Sequence, residues 1–267
     1  MSIEVSNLRV RYGDVEAVRG VSFSVPAGQI CGYLGPNGAG KSSTLKILSG
    51  ILEPTDGLVR IAGHRMPAER LAAQRALGYV PENAAAYSLL TPVEYLELVS
   101  ELFELPPDGA AEKRRTLLER FGLAEVQHRA IATLSKGQRQ KVVLLSALLH
   151  DPAVLLLDEP LSGLDANAAR TVKEIVQGLA ERGTTVLFSS HRLELVERLC
   201  QRVIILHRGE VVADAPTSEL ISLSRGRTLE KVFAELTSGE GDLATRDILD
   251  ALKPPEAQAA GGKGSRK

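Results

Sequence analysis

The sequence predicts an α/β protein in which a mixed sheet is joined to an antiparallel β subdomain and interrupted by a helical insertion. Three observations carry that expectation. Ile3, Val5, Leu8 and Val10, then Val21, Phe23 and Val25, set apolar residues at strand spacing on either side of Tyr12-Gly13-Asp14, the pattern of an antiparallel pair. Short apolar runs at Ile30 to Leu34, Ala153 to Leu157 and Thr184 to Phe188 read as buried strands, and the helical stretches that separate them imply parallel connections. Residues about 84–150, lying between the first and second of these runs, read as helices.

In chain order, the hairpin of residues 3–25 leads to the strand Ile30 to Leu34 and then to a glycine-rich loop. Ser42 to Ser49 reads as a helix whose positive end faces that loop, with Gly50 placed to stop it. Thr91-Pro92-Val93-Glu94 supplies an N-cap hydroxyl, a proline at the first helical position and an acid in the first turn, so a helix is expected there, running to about Leu105. Pro106-Pro107-Asp108-Gly109 is expected to break it, a second helix to run from Ala110 to Phe121, and a third from the Ser135 segment to Leu149. The αβ pattern returns with a helix from Ala166 to Arg182, another from Arg192 to Leu199, a hairpin turning at Arg208-Gly209 and a short helix from Ser218 to Leu223. The main domain is expected over residues 1–237. Residues 238–267 read as a flexible extension, since Pro254 to Lys267 offers almost nothing to bury.

Composition narrows the function classes. With 267 residues and 44% hydrophobic content the chain can bury a full core, so disorder is not the default. The formal net charge of -1 lacks the basic excess that releases counterions from a phosphate backbone, and no nucleic-acid partner is expected. Cys31 and Cys200 stand far apart without metal-ligand spacing and read as reduced structural thiols. The start of the chain shows no basic-then-apolar secretory pattern, and the longest apolar runs fall far short of the ~20 residues that span a bilayer. A cytosolic location is expected, with any membrane association supplied by a partner.

The chemistry lies in three segments. Gly35-Pro36-Asn37-Gly38-Ala39-Gly40-Lys41-Ser42-Ser43 fits GxxxxGK[ST], in which glycines let backbone N–H groups approach phosphates, Lys41 brings a point charge and Ser42 a hydroxyl for Mg²⁺. A plain glycine-rich turn is the alternative, but strand before and helix after are both in place. Val154 to Asp158 delivers a carboxylate at the end of a buried strand, suited to hold Mg²⁺ through water, and Glu159 follows it as a candidate base for an attacking water, or as a surface or capping acid. Leu134-Ser135-Lys136-Gly137-Gln138 opens a helix whose unpaired N–H groups favour an anion, or simply caps it.

These pieces, in this order, resemble the ATP-binding subunit of bacterial ATP-binding-cassette (ABC) transporters over roughly the first 235 residues. The resemblance implies a P-loop NTPase fold of the ABC ATPase type, ATP and Mg²⁺ as cofactors, and ATP hydrolysis that powers a transporter through ATP-dependent dimerisation. It implies that residues 35–43 cradle the triphosphate, and that Ser135, Gly137 and Gln138 close over ATP bound to a second ABC subunit, expected to be an identical chain. It gives His191 contact with the γ-phosphate, although a lone histidine by position alone reads equally as structural. It gives Tyr12 an adenine-stacking role, against that of a packed edge aromatic, and places Asp165 in a loop coupling the two sites, a role compatible with capping the next helix. Glu82 stands where most members carry a glutamine that contacts Mg²⁺, and Lys136 where most carry glycine. Val80-Pro81-Glu82, the 135–138 signature and Leu229 to Thr237 resemble exporter subunits, which implies a separate integral membrane permease docking near Glu82 and Tyr87 to Leu90 on the cytoplasmic face of the inner membrane. The alternative is a soluble ABC ATPase in a non-transport assembly, such as iron–sulfur cluster assembly.

Overall fold

A computed structural model describes residues 1–83, 86–223 and 228–237. The expected flexible extension 238–267 lies outside the described residues. Two sheets organise the fold. β1 (Ile3–Tyr12), β2 (Val15–Val25), β4 (Asp56–Ile61) and β5 (His64–Met66) form an antiparallel sheet in the order β2-β1-β4-β5. The second sheet is mixed, in the order β10-β9-β3-β8-β7-β6, where β6 (Leu77–Val80), β7 (Val154–Asp158), β8 (Thr185–Ser189), β3 (Ile30–Leu34) and β9 (Arg202–His207) are parallel and β10 (Glu210–Pro216) is antiparallel to β9.

The unbroken apolar runs follow from burial on both faces of the mixed sheet. In β7, Leu155 and Leu157 point into one core and Val154 and Leu156 into the other; in β9, Val203 and Ile205 divide in the same way from Ile204 and Leu206. Each such side chain contributes about 1.5–3 kcal/mol by leaving water. One core is closed by α3 (Pro92–Leu102), α4 (Pro107–Arg120), α5 (Lys136–Leu148), α6 (Ala166–Glu181) and α7 (Leu193–Leu199), and α8 (Thr217–Leu223) and α9 (Leu229–Thr237) lie against it near β9 and β10. The other core is closed by the antiparallel sheet, α1 (Lys41–Leu48) and α2 (Arg70–Arg75). A half-buried clasp also joins the sheets: Arg202 pairs with Asp214 through bonds of 2.6 and 2.7 Å and donates to the Ser24 carbonyl of β2 at 2.9 Å.

Two sequence expectations change. α3 ends at Leu102, where Glu104 turns left-handed at φ 55°, rather than continuing to Leu105. The segment Pro106-Pro107-Asp108-Gly109 does not act as a break: Pro107 is the first residue of α4, because its fixed φ suits a first turn and Asp108 there complements the helix dipole. The cap at α3 is as expected, with the Thr91 hydroxyl accepting from the Glu94 N–H at 3.3 Å and the Glu94 carboxylate accepting from the Thr91 N–H at 2.8 Å. Cys31 and Cys200 are buried and unpaired, and burial pushes both thiols well above the usual range. No helix among the described residues is long and apolar enough to cross a membrane.

Candidate functional site

Strand order assembles the site. β3, β8, β7 and β6 are successive neighbours in the mixed sheet, and the segments leaving their carboxyl ends carry the glycine loop, His191, the Asp158-Glu159 pair and Glu82 respectively. These segments border one cleft of about 620 Å³. Ligand sites at the carboxyl edge of parallel strands are the general consequence of such topology.

The loop is set by space as well as by conformation. A Cβ on Gly35 would lie 2.6 Å from the Leu206 carbonyl oxygen, and one on Gly40 would lie 2.6 Å from that of Ala17. Gly40 also adopts φ 103° as the N-cap of α1 and brings no side-chain cap, so the first-turn N–H groups of α1 remain available to an anion. Lys41 donates to the carbonyls of Gly35 at 2.6 Å and Pro36 at 3.1 Å. Burial lowers its pKa, and Glu159, Asp158 and Glu82 oppose that shift by attraction. Gly35, Asn37, Gly38, Gly40, Ser42 and Ser43 face the cleft together with Lys41. Pro36 and Ala39 do not border it: the Ala39 side chain is packed in the core beneath the loop, and Pro36 contributes its carbonyl to Lys41.

Asp158 is buried at the end of β7. Burial raises its pKa, and a hydrogen bond from the Ser42 side chain pulls it back. Glu159 leaves the strand through a left-handed backbone, φ 50°, a conformation that costs a non-glycine residue about 1–3 kcal/mol. Its N–H donates to the Ser189 carbonyl at 3.1 Å, which fixes the bend against β8. Its carboxylate lies 2.8 Å from His191 Nδ1, and the pair is lopsided: the Glu159 side chain is 14% exposed and that of His191 72%. Burial raises the Glu159 pKa, with His191 drawing it down. A carboxylate held at the rim of a cleft with an imidazole against it can accept a proton from water.

Glu82 is exposed and borders the same cleft. Tyr12 does not line it: the ring is half-exposed at the end of β1, and its hydroxyl is 3.2 Å from Ser43 Oγ, next to the start of α1. Ser135, Gly137 and Gln138 are likewise absent from the cleft walls. They form the first turn of α5, where the Ser135 hydroxyl accepts from the Gln138 N–H at 3.2 Å and the Gln138 amide oxygen accepts from the Ser135 N–H at 2.9 Å. The aliphatic stem of Lys136 lies over Gly163, with Cδ 3.0 Å from where a Cβ would stand, so that side chain packs on the 162–165 loop although it is exposed overall. Asp165 caps α6, its carboxylate accepting from the Ala168 N–H at 2.9 Å, a bond that lowers its pKa. One wall residue escaped the sequence reading: Ala17, from β2, which carries no chemical signal of its own; Ser162 also borders the cleft, ahead of the loop that ends at Asp165.

A phosphate-accepting loop, buried and rim carboxylates and a histidine on adjacent parallel strands define a nucleoside-triphosphate-hydrolysing α/β protein of the P-loop class. Residues 18–162 match the family profile described as ABC transporter. The chain is 35% identical, over 94% of its length and 81% of the relative's, to Nod factor export ATP-binding protein I of Burkholderia orbicola (strain AU 1054). It is similar to a solved "ATP binding subunit of ABC transporter" at 32% identity and TM-score 0.84, covering 88% of this chain and 99% of that one. A dimeric ATP-binding cassette in a post-hydrolysis state with ADP and Pi matches at 25% identity and TM-score 0.73, over 80% of this chain and 98% of that one. This chain belongs to the ABC transporter family, as an ATP-binding cassette that hydrolyses ATP.

Proposed function

We propose that this cassette powers an exporter by binding ATP between two copies of the chain and releasing them on hydrolysis. The observation that carries the reading is the separation of its halves: the phosphate loop, Asp158, Glu159 and His191 gather at one cleft, while the Ser135-Gly137-Gln138 turn stands outside it. Each chain thus offers a cradle and a lid that do not meet within itself. Pairing two chains head to tail places each lid over the other's cradle, the arrangement that makes a dimer necessary. The dimeric post-hydrolysis cassette among the similar structures supports this reading.

Within the cradle, the loop amides and Lys41 stabilise the charge that spreads over the γ-phosphoryl oxygens. Glu159 accepts the proton of the attacking water, and His191 orients that carboxylate and reaches the γ-phosphate from the exposed side. Tyr12 takes the adenine on its face at the outer end of the site. Asp165 holds the start of α6 and thereby the loop that meets the second subunit.

The donor set fits Mg²⁺. No cluster of three or more His, Cys, Asp or Glu side chains suited to a metal occurs among the described residues. Ser42, Asp158 and Glu82, which line the same cleft, would provide the few oxygen ligands that Mg²⁺ takes from a protein, phosphates and water supplying the rest. When bound, the ion neutralises charge on the phosphates.

The membrane partner is proposed to be a separate permease on the cytoplasmic face, seated near Glu82 and the exposed Tyr87 and Leu89. Export is favoured by the resemblance of the 80–82 and 135–138 segments and by the export protein among the relatives. The decisive experiment is Glu159→Gln. ATP binding should persist while hydrolysis falls by roughly 10²–10⁴, the usual loss for a general base; turnover at the wild-type rate would remove Glu159 from the mechanism.

A further inference from the structure

Three segments meet at one carbonyl. The Ala17 oxygen of β2 would be met at 2.6 Å by a Cβ on Gly40 of the phosphate loop and at 3.0 Å by a Cβ on Gly209, in the turn between β9 and β10. Gly209 is tied in both directions: its N–H donates to the Ala39 carbonyl in the loop at 3.2 Å, and its own carbonyl accepts from the Arg19 N–H of β2 at 2.8 Å. Three residues earlier, the Leu206 carbonyl lies 2.6 Å from the Cβ position of Gly35, at the other end of the loop. The β9–β10 hairpin therefore braces the loop at both ends and joins it to β2.

Turn chemistry explains only part of this. Arg208 at φ 49° and Gly209 at φ 85°, between the paired His207 and Glu210, make a two-residue hairpin with both central residues left-handed, which favours glycine. Such a turn needs no third partner and normally stands in solvent. Gly209 instead is buried, while Arg208 is exposed.

We propose that Gly209 is a positioning residue for ATP binding, locking the phosphate loop against the β2 wall of the cleft so that its N–H groups face the phosphates together. It acts through Ala39 and Ala17 and touches no substrate. The inference rests on the cleft being the ATP site. Its signature is a change in affinity rather than in chemistry, because Glu159 and His191 come from β7 and β8, whereas β9 bonds to β3 and β10.

The test compares Gly209→Asn with Arg208→Gly. Asparagine tolerates the left-handed conformation, so the hairpin survives, but its Cβ crowds the Ala17 oxygen. Arg208→Gly keeps the turn and leaves position 209 intact. For Gly209→Asn, KM for ATP and Kd for a fluorescent ATP analogue should rise by about fivefold or more with kcat within about twofold, the pattern left when binding shared by ground and transition states is lost. Arg208→Gly should match wild type in all three and in Tm. An unchanged Kd in Gly209→Asn overturns the inference, as do equal losses of affinity and Tm in both variants. Wild-type protein that binds no analogue overturns the cleft assignment and this inference with it; wild-type binding with an indifferent Gly209→Asn overturns the inference alone.

Discussion

At the scale of single residues, the acids of the site work against the stability of the chain that carries them. Burial raises the Asp158 pKa, so the native state holds that proton more tightly than the unfolded state does. The sign follows: the stabilisation is fully present below the unfolded value and is lost as pH rises through the raised folded one, leaving a charged, buried Asp158 as a cost at neutral pH. Asp158→Asn keeps an acceptor for Ser42 and removes the charge. In the absence of nucleotide its Tm at pH 7.5 should exceed that of wild type, and the gap should close as the buffer is acidified. A thermal melt series from acid to neutral pH checks this; a variant equal to wild type at neutral pH would show that Ser42 and its neighbours fully compensate the buried charge. Glu159 carries the same sign through its own burial, so activity should fall as pH drops toward its raised pKa rather than the ordinary glutamate value.

At the scale of elements, the first turn of α5 caps its helix and, in the proposed dimer, closes over a partner's ATP, two jobs that substitution can separate. Ser135→Ala removes the capping acceptor and should cost about 1 kcal/mol of stability together with hydrolysis. Ser135→Asp restores the cap while facing a phosphate with negative charge, so urea melts near wild type should accompany lost ATPase activity. Full activity in Ser135→Asp would reduce this turn to a cap. The same element shows what sequence makes legible. Ser135 and Gln138 spell a reciprocal cap, and the apolar runs of β3, β7 and β8 can be buried only as interior strands. Pro107 misled because proline both ends and begins helices, and what decides is whether the preceding residues have already turned, as Glu104 has. Residues 56–80 gave no clear reading: β5 is only three residues long and α2 six, too short for a period to declare itself. Ala17 entered the cleft through the pairing of β2 and the brace at Gly209, contacts distant in sequence that no local pattern encodes.

At the scale of the whole molecule, the cradle and lid lie apart, and ATP should join two chains. Glu159→Gln with ATP and Mg²⁺ is predicted to double in mass from the 28.6 kDa monomer in light scattering and to return to it when ATP is removed. A monomer under those conditions, together with wild-type hydrolysis that is indifferent to protein concentration, would refute head-to-tail pairing. The mixed sheet suits such a cycle because the cleft residues leave neighbouring strands of one packed layer, so a load at the lid reaches them through rigid elements rather than loops alone.

The left-handed backbone at Glu159 has a consequence for which side chains position 159 accepts. Every copy of the chain bears that twist whether or not ATP is being split, so position 159 sets fold against the proposed chemistry: glycine or asparagine would relax the main chain, and in the proposed mechanism only an acid supplies the base. In a randomised library, sorting for folded protein should therefore enrich residues that sorting for turnover eliminates, with valine and isoleucine losing under both.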